Sequence, residues 1–226
     1  MAGTGLRELK KQQTYRHVSD IAIGLFLEKG FGAVSVAEVA AAAGISKPTL
    51  FRYFPAKEDL VLHRFADHED EAARVVRAAR AAEGESAGSS PVDALRRHFL
   101  DGLSREDPVT GLNGAPAVLA FHRLLYGTPS LVARAYEYQQ RSEAVLAAAL
   151  GDTLAARLAA GQIIAVQRIL AQENWRRIAA GESVEAVRGD AVAAAEEAFG
   201  QLEAVLPWLR PASAAEAVRD VSNATE

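Results

Sequence analysis

Residues 35–54 read Ser35-Val-Ala-Glu-Val-Ala-Ala-Ala-Ala-Gly-Ile-Ser-Lys-Pro-Thr-Leu-Phe-Arg-Tyr-Phe54, the pattern of two short helices joined by a turn at Gly44. Ser35 with Glu38 three residues later is a capping box, so the spacing predicts a helix beginning at Val36. Gly44 ends it, because a glycine just past a helix takes the left-handed backbone without steric cost, and Ile45 turns back into the core. Ser46 caps the second helix, with Pro48 in the first turn, where a missing N–H costs nothing. At about eight residues that helix is roughly 12 Å long, a size that enters a major groove. Leu50 and Phe54, at i and i+4, hold its inner face. Lys47, Thr49, Arg52 and Tyr53 are left outside, and all four carry groups that donate hydrogen bonds to phosphates and base edges. The stretch is a helix-turn-helix.

Upstream, Val18, Ile21, Ala22, Leu25 and Phe26 form the stripe of an amphipathic helix over Leu9–Lys29, stopped by Gly30. With Phe31, Val39, Ile45, Leu50 and Phe54 it closes a three-helix core. Residues 1–8 carry two glycines and no apolar period and are expected to be a mobile arm; Arg7 on it, and Lys10 and Lys11 just after it, are candidates to touch DNA.

The run from Ser35 to Leu60, with A-x-x-x-G-I-S at 40–46, P-T-L-F-R-Y-F at 48–54 and Lys57 shortly after, resembles the DNA-binding domain of the TetR (tetracycline-repressor) family of bacterial regulators. The resemblance spans roughly the first 60 residues and fades beyond them. It implies an all-α protein: an N-terminal three-helix helix-turn-helix DNA-binding domain joined to a larger helical ligand-binding and dimerisation domain. It further implies a homodimer that represses transcription at an inverted-repeat operator until a small molecule binds. By position, Lys47, Thr49 and Arg52 would read or approach bases, while Ser35, Tyr53 and Lys57 would hold phosphates. Ala37 departs from members that carry a base-reading side chain such as arginine there, which shifts sequence reading to the second helix.

The composition agrees with this reading. Half of the 226 residues are hydrophobic and 24% are charged, enough for a sizeable core and no more than two domains. Residues 1–64 hold nine Lys and Arg against six Asp and Glu, and the remainder sixteen against twenty-three, so a net charge of −4 divides into a basic head and an acidic body. No cysteine is present, which excludes disulfides and thiolate metal sites. No signal peptide or membrane span of about 18 apolar residues is apparent, so a cytoplasmic protein with no membrane partner is expected. The expected division is 1–60 for DNA binding, 61–210 for ligand binding and dimerisation, and 211–226 as a loosely ordered tail.

Ala56-Lys-Glu-Asp-Leu60 is expected to open one long helix to about Glu83, carrying movement of the body to the reading head. His63, Asp67, His68 and Glu71 share a face of that helix, but a solvated, salt-bridged face accounts for them better than a metal site, and neither metal nor cofactor is expected. Gly84-Glu-Ser-Ala-Gly88 matches G-x-S-x-G without the preceding strand and following helix that a nucleophile elbow requires. An enzyme using that serine or a metal, and a helical lipid- or acyl-ligand-binding protein, are the competing readings.

Further helices are expected over Pro91–Arg105, Pro116–Tyr126, Ser130–Leu150, Leu154–Ala180 and Val184–Leu209. In the last, Val184, Val187, Ala191, Ala194, Ala198, Leu202, Val205 and Leu209 recur at spacings of 3 and 4, a seam expected to pair with a second copy. The body carries more aromatic surface than helix packing needs. Phe99, Phe121, Leu125, Tyr136, Tyr138 and Trp175 are therefore expected to line an effector pocket, with Arg123, Gln139, Arg141, Gln167 and Asn174 orienting a small, largely apolar effector. Asn174-Trp-Arg-Arg-Ile-Ala-Ala-Gly181 resembles, loosely, regulators that sense acyl-CoA-like ligands.

Overall fold

The computed structural model describes residues 3–66, 68–82 and 90–209. Asp67, the G-x-S-x-G match at 84–88, the tail 211–226 and the side chains of Arg7 and Lys10 lie outside the described residues. Among those described there are ten helices and no strand: α1 (Gly3–Lys29), α2 (Val36–Ala42), α3 (Lys47–Tyr53), α4 (Asp59–Ala66), α5 (Glu71–Ala82), α6 (Pro91–Ser104), α7 (Pro116–Gly127), α8 (Pro129–Leu150), α9 (Leu154–Ala179) and α10 (Val184–Val205). The all-α class is as expected.

The packing forms two compact units. The first comprises Met1–Glu69 and Ala115–Arg141. Its core joins Val18, Ala22 and Phe26 of α1, Val39 of α2, Leu50 and Phe54 around α3, Leu60 and Leu62 of α4, and Leu125 and Leu131 of α7 and α8. Ser19 is buried and donates to the Leu60 carbonyl at 2.7 Å, so its hydroxyl does not go unsatisfied. Asp59, only 4% exposed, accepts a two-pronged bond from Arg134 (Nε at 2.9 Å, Nη2 at 3.1 Å), one from Tyr138 Oη at 3.3 Å and one from the Ala56 N–H at 3.0 Å. Four donors satisfy a carboxylate that would otherwise be costly to bury. Burial first, then the Asp59 carboxylate, pushes the Tyr138 hydroxyl up to about 12.

The second unit comprises Asp70–Gly114 and the chain from Ser142 onward. Within it α6 packs on both α5 and α10, and α10 also packs on α9. Leu95, Phe99 and Leu103 of α6 are buried, as are Val187, Ala191, Ala195 and Phe199 of α10. Between α6 and α7 the chain makes a 3-10 turn at Pro108–Thr110, then passes so close to α9 that a Cβ on Gly111 (φ +73°) would lie 1.9 Å from the Ala171 carbonyl oxygen. Only glycine fits there. α9 is long and apolar enough, by length and composition alone, to cross a membrane.

Four expectations need correction. Residues 3–8 are helical and continue α1, rather than a mobile arm; Leu6-Arg-Glu-Leu is made of strong helix formers, and the glycines sit at the end, where they cost least. The long linking helix is two, with a turn at 68–70. Asp70 stands just before α5, accepts the Arg74 N–H at its carbonyl and pairs with the Arg74 side chain, so the run Glu69-Asp-Glu71 seats at a helix N-terminus, where carboxylates are favoured. α10 ends at Val205, two residues before Pro207, not at Leu209. Its buried stripe is Val187, Ala191, Ala195, Phe199 and Leu202, while Ala194 and Val205 face out and Ala198 is half-buried. Burying one phenylalanine outweighs burying two alanines, and Phe199 sets the rotation of the helix.

Candidate nucleic-acid interface

α2 and α3 form the pair read from residues 35–54. Ser35 Oγ accepts from the Glu38 N–H at 3.1 Å, and Ser46 Oγ from the Thr49 N–H at 3.2 Å. Gly44 takes φ +66°, and the Ile45 N–H closes on the Ala40 carbonyl at 3.0 Å. The Glu38 carboxylate pairs with Lys29 at 2.6 Å; that ammonium first, and the Ser35 backbone N–H to a lesser degree, hold Glu38 below its usual range, and Glu38 in turn holds Lys29 above its own. One basic side chain of the head is thereby partly neutralised.

α3 divides as its spacing requires. Leu50 and Phe54 are buried; Lys47 and Arg52 are exposed; Thr49 and Tyr53 are half-buried. Thr49 Oγ1 shares a hydrogen bond of 2.8 Å with Ser46 Oγ. The Tyr53 ring is held edge-on by Tyr15 at 5.0 Å, with the Arg52 guanidinium 5.5 Å from its centroid. Tyr15 in turn stacks on His63 at 4.6 Å and meets Phe54 edge-on at 5.2 Å, so an aromatic cluster from α1, α3 and α4 fixes where Tyr53 points. Lys57 differs from the others. It is half-buried, its ammonium donates to the Phe31 carbonyl, and it lies over the rings of Phe31 and Phe26.

One exposed residue escaped the sequence reading. Phe51 is 41% exposed on α3, one turn beyond Lys47, whose ammonium lies 5.9 Å from its ring centroid. In the run Leu50-Phe51-Arg-Tyr-Phe54 it reads as core, but the i, i+4 relation to exposed Lys47 puts it on the outer face.

The expected effector residues fall in both units. In the first, Leu125 belongs to the core; Arg123 and Tyr136 are exposed; Gln139 is half-buried; and Phe121 packs on the core beneath the Arg64 guanidinium. Arg141 pairs with Glu69 at 2.9 Å and lies over the Tyr138 ring at 4.0 Å. In the second, Phe99 meets Phe199 at 6.0 Å, and buried Asn174 donates to the Thr110 carbonyl at 2.9 Å, pinning the turn before Gly111. Gln167 and Trp175 are half-buried on α9. From Ile164 to Glu173 no residue of α9 is fully buried, although Ile, Val, Leu and Ala dominate it and most of its side chains are half-covered. A helix packed against a filled core has one closed side.

The possible metal ligands are employed otherwise. His63 stacks on Tyr15, and Glu71 bonds to His98 at 2.9 Å on a different helix. Among the described residues no group of three or more His, Cys, Asp or Glu is arranged to hold a metal ion.

Residues 20–63 match the family described as bacterial regulatory proteins, tetR family. Over 221 residues, 92% of each chain, the protein is 30% identical to the HTH-type transcriptional regulator TcmR of Streptomyces glaucescens. It is also 37% identical over 49 residues, 22% of this chain and 23% of the other, to the HTH-type transcriptional regulator AcrR of Shigella flexneri. A crystal structure of native NalD, the secondary repressor of the MexAB-OprM multidrug efflux pump in Pseudomonas aeruginosa, aligns with a TM-score of 0.52 at 16% identity, covering 83% of this chain and 97% of that one. At that identity the likeness speaks for the fold alone.

Proposed function

The chain belongs to the TetR family of bacterial transcriptional regulators, and from that premise we propose that it is a cytoplasmic repressor released from its operator by a small, largely apolar effector. The observation that carries the DNA half is α3: a helix capped at Ser46 and anchored inward by Leu50 and Phe54, offering Lys47, Phe51 and Arg52 to a groove. In this reading Lys47 and Arg52 donate to base edges, Phe51 offers its ring to a thymine methyl, Thr49 approaches a base, and Ser35 and Tyr53 hold phosphates. Residues 1–60 read DNA; residues 61–210 bind the effector and dimerise.

The effector half rests on the half-covered stretch of α9, an apolar surface that a bound molecule would close. Gln167 lies within that stretch, and Phe99 and Trp175 are its proposed neighbours in the second unit. A shift from 1:99 to 99:1 between DNA-competent and released states takes about 5.5 kcal/mol of differential binding, which a large apolar ligand such as an acyl thioester or similar hydrophobic compound can supply.

Electrophoretic mobility shift with fragments of the source genome, then footprinting, tests the reading. An inverted repeat with half-site centres about one helical turn or somewhat more apart is expected. A folded protein that retards no fragment in preference to others would end it. Mass spectrometry of molecules that co-purify with the wild type but not with Trp175→Ala tests the effector half.

A further inference from the structure

We propose that Arg134 of α8 is a positioning residue of the DNA-binding head: through the Asp59 carboxylate it orients the turn between α3 and α4, and so sets how α3 is presented to a duplex. The inference rests on the DNA-binding reading, and it concerns a residue well outside the 20–63 span of the family match.

The turn over residues 55–58 is closed by Asp59 from both directions. The Asp59 N–H donates to the Ala56 carbonyl at 3.2 Å, and Asp59 Oδ2 accepts the Ala56 N–H at 3.0 Å. Phe54 and Leu60, fully buried on either side, pin its ends. The direction of the Ala56 N–H therefore follows the plane of the carboxylate. Arg134 sets that plane: Nε donates to Oδ1 at 2.9 Å and Nη2 to Oδ2 at 3.1 Å, a forked pair that fixes orientation as well as charge. Tyr138 Oη adds a further donor, to Oδ1 at 3.3 Å.

The guanidinium is itself held ready. Its Nη1 donates to Glu137, one turn on along α8, so the fork meets Asp59 from a fixed side. The Tyr138 ring lies 4.0 Å from the Arg141 guanidinium, and Arg141 pairs with Glu69 at 2.9 Å. Residues 134, 138 and 141 stand at i, i+4 and i+7, so one face of α8 grips the chain at the start of α4 and again beyond its end at Ala66. Charge compensation alone would ask less. A lysine neutralises a buried carboxylate as a point charge, and a well-packed apolar pair can replace both partners, but only a planar fork sets the plane of the acceptor.

Arg134→Lys in the full-length protein separates orientation from charge. It should fold and melt close to the wild type, yet bind a duplex selected by the wild type about tenfold more weakly, the loss expected when one charged hydrogen bond is misaligned. The slope of log K against log salt should not change, because counterion release follows the number of charges near phosphates and is insensitive to small displacements. Affinity equal to the wild type in the folded variant overturns the proposal. So does a slope shallower by about 0.9, which would make Arg134 itself a phosphate ligand. The double change Asp59→Leu with Arg134→Leu decides the matter if the lysine variant does not fold: it keeps the site packed but offers Ala56 no acceptor, and it should bind as weakly. Wild-type affinity there overturns the proposal as well.

One readout needs no DNA. Amide exchange at Ala56 should quicken about tenfold in Arg134→Lys, or in the double variant, while the amides of α1 exchange as in the wild type. An unchanged rate at Ala56 overturns the link from Arg134 to the turn. If the wild type binds no duplex, the DNA-binding reading fails by itself, while exchange at Ala56 still decides whether Arg134 orients the turn.

Discussion

Tyr53 and Lys47 stand six residues apart on α3 and are held in opposite ways. Tyr53 is fixed by the edge of Tyr15 and the guanidinium of Arg52, whereas the exposed Lys47 ammonium lies 5.9 Å from the centroid of the exposed Phe51 ring. A fixed hydroxyl suits a phosphate, whose position is the same at every base pair, and a long exposed side chain suits base edges, which are not. Tyr53→Phe should therefore weaken binding to all duplexes alike with the salt slope unchanged, since it removes a hydrogen bond and no charge, while Lys47→Ala and Arg52→Ala should change which sites are recovered in a binding selection. Selections that return the wild-type site for both would remove Lys47 and Arg52 from the reading surface. His122 gives the residue scale a pH dependence. Burial beside Phe121 and Tyr126 lowers its pKa to about 4, so the folded protein refuses a proton that the unfolded chain accepts at about 6.5. Stability is full above that value and is lost as pH falls toward 4, by an amount on the order of 3 kcal/mol. His98 runs the other way: Glu71 raises its pKa, so its smaller, partly exposed contribution is present at low pH and lost as pH rises through the folded value. Melting temperatures from pH 7 to 4.5 should fall less steeply for His122→Gln than for the wild type.

Among the elements, the start of α4 is tied to α8 by Asp59 and Arg134, 75 residues apart in sequence. Removing the arginine leaves a buried carboxylate, so Arg134→Leu should cost about 3–5 kcal/mol by denaturant unfolding, and the double change with Asp59→Leu should recover much of it. A double variant no more stable than the single one would mean that the loss is packing, not charge. No pattern in the sequence announced this pair, because a lone aspartate near a helix start reads as dipole chemistry. What was legible was local: the Ser35 and Ser46 caps, the Gly44 turn, the inward Leu50 and Phe54. Ser90, Thr153 and Ser183 cap α6, α9 and α10 by the same rule. Where distant side chains compete, the reading slipped. Phe199 overrode an alanine seam, and the acidic run at 69–71 broke a helix whose apolar spacing runs on. Of the proposed DNA site, the exposed face was readable except for Phe51, and the inward turn of Lys57 depends on Phe26 and Phe31, about 30 residues upstream.

At the scale of the molecule, α9 and α10 leave Leu158 (59%), Ile169 (54%), Val192 (38%) and Val205 (63%) exposed within the second unit. A second copy is the proposed cover, by a symmetric interface. Ile169→Glu and Val205→Glu should shift the protein toward monomer in light scattering and weaken binding to the full inverted repeat more than to a single half-site. Dimers that persist in both would place the interface elsewhere. The first unit has another property that matters to anyone who would borrow it. Its core is sewn from two separate lengths of chain, since Leu125 and Leu131 return from beyond residue 114 to close over α1 and α4. The reader of DNA is thus not a cassette. Grafting residues 1–60 onto a foreign sensor would transplant α3 with its lid left behind, and a working chimera has to carry Ala115–Arg141, which holds α7 and the first part of α8, with it.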